Sequence, residues 1–281
     1  MFETIILPVI VFIALGVATG TLLAVATKVF AVKKNEVAEQ INECLPGANC
    51  GGCGFSGCAA LAEAISAGEA KVTQCTVGGA EVAEKIAEIM GVEAASAVRM
   101  RAQVMCSGTH ELARKKYVYE GVADCVAAAK IGGGDKLCPN GCVGLGTCVA
   151  ACPFDAITVE DGVAVVDYTK CKGCGVCANV CPKGIIKLIP FDSKHWVGCM
   201  SDNVGKITRQ VCDVGCIACK ICEKNCPTGA ITVDNCMAHI DYSKCTGCDI
   251  CVDKCPRHII WSGEVQGKLG LVIKRVNTTS K

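Results

Sequence analysis

The sequence predicts an α+β chain built in series: an N-terminal transmembrane helix, a small helical domain holding four cysteines, and two tandem copies of a short, β-containing, cysteine-rich module. Three observations carry this. An unbroken apolar run opens the chain, 26 of its 281 residues are cysteine, and a stretch beginning at Cys152 recurs in recognisable form from Cys226. Aromatic residues make up only 4% of the chain, too few to build a large core, so bonds made by cysteine must organise much of the body. The formal net charge of +1 gives no electrostatic case for nucleic acid.

Residues 1–32 are read as the anchor and its flank. From Ile5 to Thr27 no residue is charged, and the only polar side chains are threonines. At a rise of about 1.5 Å per residue, such a run can cross a hydrocarbon core of roughly 30 Å. A cleaved signal peptide is the rival reading, helped by the small residues Ala24-Val25-Ala26. Against it, Met1-Phe2-Glu3 offers no positive start, and the run exceeds the roughly 7–15 apolar residues of a signal core. Lys28, Lys33 and Lys34 follow the run while Glu3 precedes it, so the positive-inside rule places a single-pass chain with its N-terminus out and its body in the cytoplasm. The cytosol keeps thiols reduced, which disfavours disulfides and leaves metal sites as the natural use of the cysteines.

Residues 33–92 form the small four-cysteine domain. A polar helical stretch over 35–43 leaves the membrane, glycine-rich turns fill 51–57, and alanine-rich helical runs cover 58–67 and 80–90, with Gly68 and Gly91 at the expected C-terminal caps. Residues 93–135 connect onward through a helical stretch, 122–130, that stops at Gly132-Gly133-Gly134. The two modules occupy 136–190 and 211–262, joined by a connector at 191–210, and 263–281 is a tail without a readable motif. Within each module two short β-prone segments flank a turn, as Thr158-Val159 and Ala164-Val165-Val166 do around Asp161-Gly162.

The cysteine spacing carries the chemistry. Cys171-x2-Cys174-x2-Cys177-x3-Cys181-Pro182 is the bacterial ferredoxin pattern for [4Fe–4S] clusters. Cys245-x2-Cys248-x2-Cys251-x3-Cys255-Pro256 and Cys216-x2-Cys219-x2-Cys222-x3-Cys226-Pro227 repeat it, and Cys138-x3-Cys142-x5-Cys148-x3-Cys152-Pro153 is a looser copy. Three close thiolates wrap three irons of a cubane, and the cysteine before proline ligates the other cluster of a two-cluster unit. The expected sets are therefore Cys138, Cys142, Cys148 and Cys181; Cys171, Cys174, Cys177 and Cys152; Cys216, Cys219, Cys222 and Cys255; and Cys245, Cys248, Cys251 and Cys226. Structural zinc normally takes two separated cysteine pairs rather than triplets closed by Cys-Pro.

A fifth set, Cys50-x2-Cys53-x4-Cys58 with Cys75, lies among glycines that let backbone approach a bound group. By spacing alone it fits either a [4Fe–4S] cluster or zinc. Cys44, Cys106, Cys125, Cys199, Cys212 and Cys236 are left over, and their simplest role is that of small buried thiols. Cys236 falls where the first copy has Gly162, which argues against a ligand there. Cys212 is the one that could displace an assigned ligand, because Cys212-x3-Cys216 mimics Cys138-x3-Cys142.

These residues resemble the B-type member of the Rnf complex, a membrane-bound ferredoxin:NAD⁺ oxidoreductase that couples electron transfer to ion transport. The resemblance spans nearly the whole chain, and Asn49-Cys50-Gly51-Gly52-Cys53-Gly54-Phe55-Ser56-Gly57-Cys58 is its most specific piece. It implies a [4Fe–4S] cluster at the fifth set, five clusters in all, and a place in the bacterial cell membrane. The partners it implies are soluble ferredoxin, a flavin- and NAD-binding C-type subunit and multi-span membrane redox subunits. The chain itself is expected to have no NAD or flavin site. Gly141-x2-Gly144-x-Gly146 lacks the order of a dinucleotide turn, no Cys-x2-Cys-His marks haem, and His110, His195, His239 and His258 are scattered. His195-Trp196 reads as linker packing. The alternative function is a membrane-anchored polyferredoxin serving another reductase or a maturation system.

Overall fold

A computed structural model of the protein describes residues 2–29, 35–93 and 98–262, and within the first helix the side chains of residues 9, 10 and 12–27. The expected tail at 263–281 lies outside the described residues. Helix α1 runs Phe2–Val29. Among the described residues no helix is long and apolar enough to cross a membrane. The expected single-pass topology therefore rests on the sequence. What is described of α1 is apolar on every side and exposed, Phe12, Leu15, Leu22 and Leu23 included. The hydroxyls of Thr19, Thr21 and Thr27 donate back to the carbonyls of Leu15, Val17 and Leu23 at 2.9, 2.8 and 3.0 Å, so none of these three threonines needs water.

Three helices make the small domain: α2 (Glu36–Cys44), α3 (Cys58–Ser66) and α4 (Gly79–Met90), close to the expected stretches. Asn35 caps α2 through its side-chain oxygen, which accepts from the backbone of Val37 and Ala38. Gly91 ends α4 in the left-handed conformation at φ 64°. Ile41, Leu61, Ile65 and Ile86 are fully buried between the helices. Burying each of these contributes about 1.5–3 kcal/mol, a modest core that leaves room for a bound group to hold the domain.

The remaining body is built from short elements. They are β1 (Met100–Val104), α5 (Cys125–Lys130), α6 (Thr147–Ala150), β2 (Ile157–Glu160), β3 (Val163–Val166), α7 (Val176–Val180) and β4 (Ile186–Pro190). There follow β5 (His195–Val197), α8 (Gly205–Val211), α9 (Ile221–Lys224), β6 (Ile231–Asp234), β7 (Met237–Ile240), α10 (Ile250–Lys254) and β8 (Ile260–Ser262). The strands pair only in antiparallel twos: β1 with β4, β2 with β3, β5 with β8, and β6 with β7. The β2–β3 hairpin turns at Asp161 and Gly162, both at positive φ, and β6–β7 turns at Asn235 and Cys236 in the same way. Cys236 is thus a turn residue, as its glycine counterpart suggests.

The stretches expected only to connect also supply strands. β1 completes the first module by pairing Val104 with Ile186, and β5 completes the second by pairing Val197 with Ile260. Trp196 and Trp261 face each other across β5–β8, and both are buried in the core of the first module. The two modules therefore share a core.

Candidate metal centres

Each cluster loop places its cysteines by the same local logic. The third cysteine of each triplet (Cys148, Cys177, Cys222, Cys251) sits in the first turns of a short helix, α6, α7, α9 or α10. The cysteine before proline cannot continue a helix, because the proline ring clashes with a helical residue ahead of it. Cys181 and Cys255 accordingly end α7 and α10 in extended conformation, with ψ 111° and 112°. That turn sends each thiol away from its own triplet and into the neighbouring cavity.

Three expected sets are gathered as such. Cys152, Cys171, Cys174 and Cys177 line one cavity of about 300 Å³. Cys216, Cys219, Cys222 and Cys255 line a second of about 350 Å³, and Cys226, Cys245, Cys248 and Cys251 a third of about 360 Å³. In the small domain Cys53, Cys58 and Cys75 pack around the helical core, with the Gly78 N–H donating to Cys75 Sγ at 3.4 Å. The side chain of Asn49 accepts from the Cys58 N–H at 2.8 Å, and Gln74 donates to the Cys53 carbonyl at 3.1 Å, tying the loop to the segment that carries Cys75. Cys50 is not part of this packed core and lies instead beside Cys174 of the first module. A Cβ at Gly52 would stand 2.2 Å from the Cys174 carbonyl, so the small domain touches the first module directly at a cluster loop.

The set expected around Cys138 is arranged differently. Cys142, Cys148 and Cys181 line a cavity of about 340 Å³ together with Cys125, while Cys138 lines another, of about 410 Å³, with Cys106, Cys199 and Cys212. Cys125 is pinned at the start of α5. Its N–H donates to Thr147 Oγ1 at 2.7 Å, and that hydroxyl donates to Asp124 Oδ2 at 3.0 Å. The repeat explains the exchange: where the second module has Cys219 in the middle of its triplet, the first has Leu145. The loop is one thiol short, and Cys125 stands where it can supply it. The signal in the sequence was Leu145 itself, the position of the first triplet that is not cysteine.

The donor chemistry of these cavities fits iron–sulfur clusters. All are ringed by thiols, the soft ligands such clusters select. Among the described residues, no three His, Cys, Asp or Glu side chains gather closely enough to hold a single metal ion; the thiols ring open cavities instead. Burial pushes the Cys177 and Cys222 thiols up to about 12 and those of Cys148 and Cys251 up to about 11, with neighbouring thiolates pushing the same way. Iron must therefore displace protons at these cavities, and the positive charge of iron relieves the repulsion among the sulfurs. One further contact escaped sequence reading. His195 is buried on β5 with Nε2 2.7 Å from Asp249 Oδ1, in the loop between Cys248 and Cys251, so it steadies a cysteine loop rather than a linker.

Family models of known proteins match several cysteine-bearing stretches of this chain. The family model described as "Putative Fe-S cluster" matches residues 45–77. One 4Fe-4S binding domain matches residues 164–187 and 238–261, and a second matches 139–155 and 215–229. The B-type component of the Na⁺-translocating ferredoxin:NAD⁺ oxidoreductase complex of Acetobacterium woodii is 48% identical over 95% of this chain and 80% of its own length. The B-type component of the ion-translocating oxidoreductase complex of Methanosarcina acetivorans is 44% identical over 92% of this chain and 99% of its own. The B-type component of the proton-translocating ferredoxin:NAD⁺ oxidoreductase complex of Clostridium ljungdahlii is 41% identical over 88% of this chain and 87% of its own.

Proposed function

The chain belongs to the B-type components of Rnf, or ion-translocating oxidoreductase, complexes, and on that premise we propose that it is the iron–sulfur electron-transfer subunit of a ferredoxin:NAD⁺ oxidoreductase of this kind. The observation that carries the reading is the series of thiol-lined cavities running through both modules, with the thiols of Cys53, Cys58 and Cys75 gathered on the core of the small domain. Bound there, [4Fe–4S] clusters supply one-electron carriers whose potentials are set by charge, hydrogen bonding and exposure.

The residues of the chain hold, space and tune those carriers. Five sites are proposed: Cys50, Cys53, Cys58 and Cys75; Cys152, Cys171, Cys174 and Cys177; Cys125, Cys142, Cys148 and Cys181; Cys216, Cys219, Cys222 and Cys255; and Cys226, Cys245, Cys248 and Cys251. The contact of Gly52 with Cys174 supports passage between the small domain and the first module. The Ala102 N–H, donating to Cys171 Sγ at 3.4 Å, is the kind of bond that raises a cluster potential.

Helix α1 is proposed to anchor the body in a single pass, N-terminus out, with the clusters on the cytoplasmic side. The anchor carries no ionisable side chain between Glu3 and Lys28, so ion movement belongs to other subunits. The partners proposed are soluble ferredoxin, a flavin- and NAD-binding C-type subunit and multi-span membrane redox subunits. Anaerobic co-purification from membranes tests this. Flavoprotein and multi-span partners in fixed stoichiometry, with ferredoxin-dependent NAD⁺ reduction, are expected. An iron-loaded chain that purifies with an unrelated reductase, or with none of these partners, would point to the polyferredoxin reading.

A further inference from the structure

We propose that Cys106, Cys138, Cys199 and Cys212 hold a sixth [4Fe–4S] cluster at the junction of the two modules. The inference rests on reading the other thiol cavities as cluster sites and adds one that the ferredoxin pattern does not contain. These four cysteines line a single cavity of about 410 Å³, the largest of the thiol-lined cavities described above. A Cβ at Gly108 would lie 3.4 Å from Cys212 Sγ and 3.8 Å from Cys106 Sγ, so glycine keeps that wall open between two of the thiols. The Ser201 N–H donates to Cys199 Sγ at 3.4 Å, a backbone bond of the kind cluster sulfurs accept.

The site is built twice over from the repeat. β1 and β5 are equivalent strands, since Val104 and Val197 face Ile186 and Ile260, which hold the same position in the two modules. Cys106 lies two residues beyond β1 and Cys199 two residues beyond β5, and the two pair directly as an antiparallel bridge. Cys138 and Cys212 are equivalent in turn, each four residues before the first cysteine of its module's triplet, Cys142 or Cys216. Each module thus contributes the same two thiols, and the four meet about a local two-fold. Four unrelated thiols would have no reason to converge in symmetric pairs.

The position also gives the site a role. The Cys142 N–H donates to Cys106 Sγ at 3.4 Å, and the equivalent Cys216 N–H bonds Cys199. Cys142 and Cys216 are ligands of the flanking sites in the first and second modules. A cluster between them joins the two-cluster modules into one continuous path, taking one electron from a reduced neighbour and passing one on, with no bond made or broken. Cys44 and Cys236 are then the two cysteines without a cluster.

The test is iron and acid-labile sulfide per chain on the anaerobically prepared full chain, wild type beside Cys199→Ala and Cys212→Ala. Six cubanes predict about 24 iron and 24 sulfide in the wild type and about four fewer of each in either variant, with the electron paramagnetic resonance signals of the other reduced clusters retained. About 20 iron in the wild type, unchanged in both variants, would overturn the sixth site and leave the five-site reading intact. Zinc in place of iron throughout would overturn both. The wild-type count decides the matter even where a variant fails to fold.

Discussion

Replacing Gly52 by alanine tests whether electrons cross from the small domain to the first module where the two touch. The added Cβ would fall 2.2 Å from the Cys174 carbonyl, against an ordinary contact of at least 3.4 Å, so the two loops must part by about 1.2 Å. The atom met is backbone in a cysteine loop, which cannot rotate out of the way as a flexible side chain could. Overpacking of this kind costs about 1–3 kcal/mol, which lowers the docked-to-undocked ratio of the domain roughly 5- to 150-fold. Neither cluster loses a ligand, so iron content should match the wild type. Ferredoxin-dependent turnover of the membrane complex should fall severalfold, and stopped-flow bleaching of the clusters should gain a slow phase. Serine at the same position should act alike and valine more strongly. Iron-replete Gly52→Ala and Gly52→Val chains with wild-type turnover would refute the reasoning, because the contact would then lie outside the electron path.

Other perturbations separate ligands, tuning groups and anchor. Lys136 is buried, donates to the carbonyls of Gly108 and Gly162 at 2.7 and 2.8 Å, and lines the junction cavity. A unit charge a few ångströms away is worth about 1–4 kcal/mol, so Lys136→Met should move at least one cluster potential negative, on the order of 50–150 mV, in a redox titration. Unmoved potentials would exclude that role. Cys44→Ala and Cys236→Ser should retain all iron and all potentials, since Cys44 packs on the small core and Cys236 occupies a hairpin turn; loss of four irons in either would reassign a ligand. A chain lacking residues 1–32 should keep its clusters and leave the membrane fraction on carbonate washing. Retention there would shift membrane attachment to its partners.

Removing the whole second module is a poorer test of path length than it looks from the sequence. Trp196 and Trp261 sit in the core of the first module, so a cut through the repeat would expose that core as well. Point changes at exposed ligands such as Cys219 or Cys248 avoid the problem.

Much of the fold was legible because the repeat and the Cys-Pro closures impose local geometry. The hairpins around Asp161-Gly162 and their second copy follow from turn chemistry, and the crossing of Cys181 and Cys255 follows from the proline after each. The helices of the small domain were readable from alanine runs ended by Gly68 and Gly91. What escaped were cavity-lining thiols delivered from a distance. Cys125 reaches its cavity from α5, more than fifteen residues before the triplet it serves, so no short spacing announces it. Cys106 and Cys199 follow strands whose pairing with β4 and β8 is set by tertiary packing, and neither strand is long enough to show a clear alternation. Leu145, the gap in the first triplet, was the trace of both: a missing thiol must be supplied from elsewhere, and the cysteine it displaced was free to serve another site.

The most direct test of the account is a count of the electrons the chain accepts. Coulometric titration of the anaerobic full chain in detergent, followed by the bleaching of its visible absorption, should end at about six electrons per chain, one for each four-thiol site. A colourless chain that accepts none would contradict the electron-transfer reading itself.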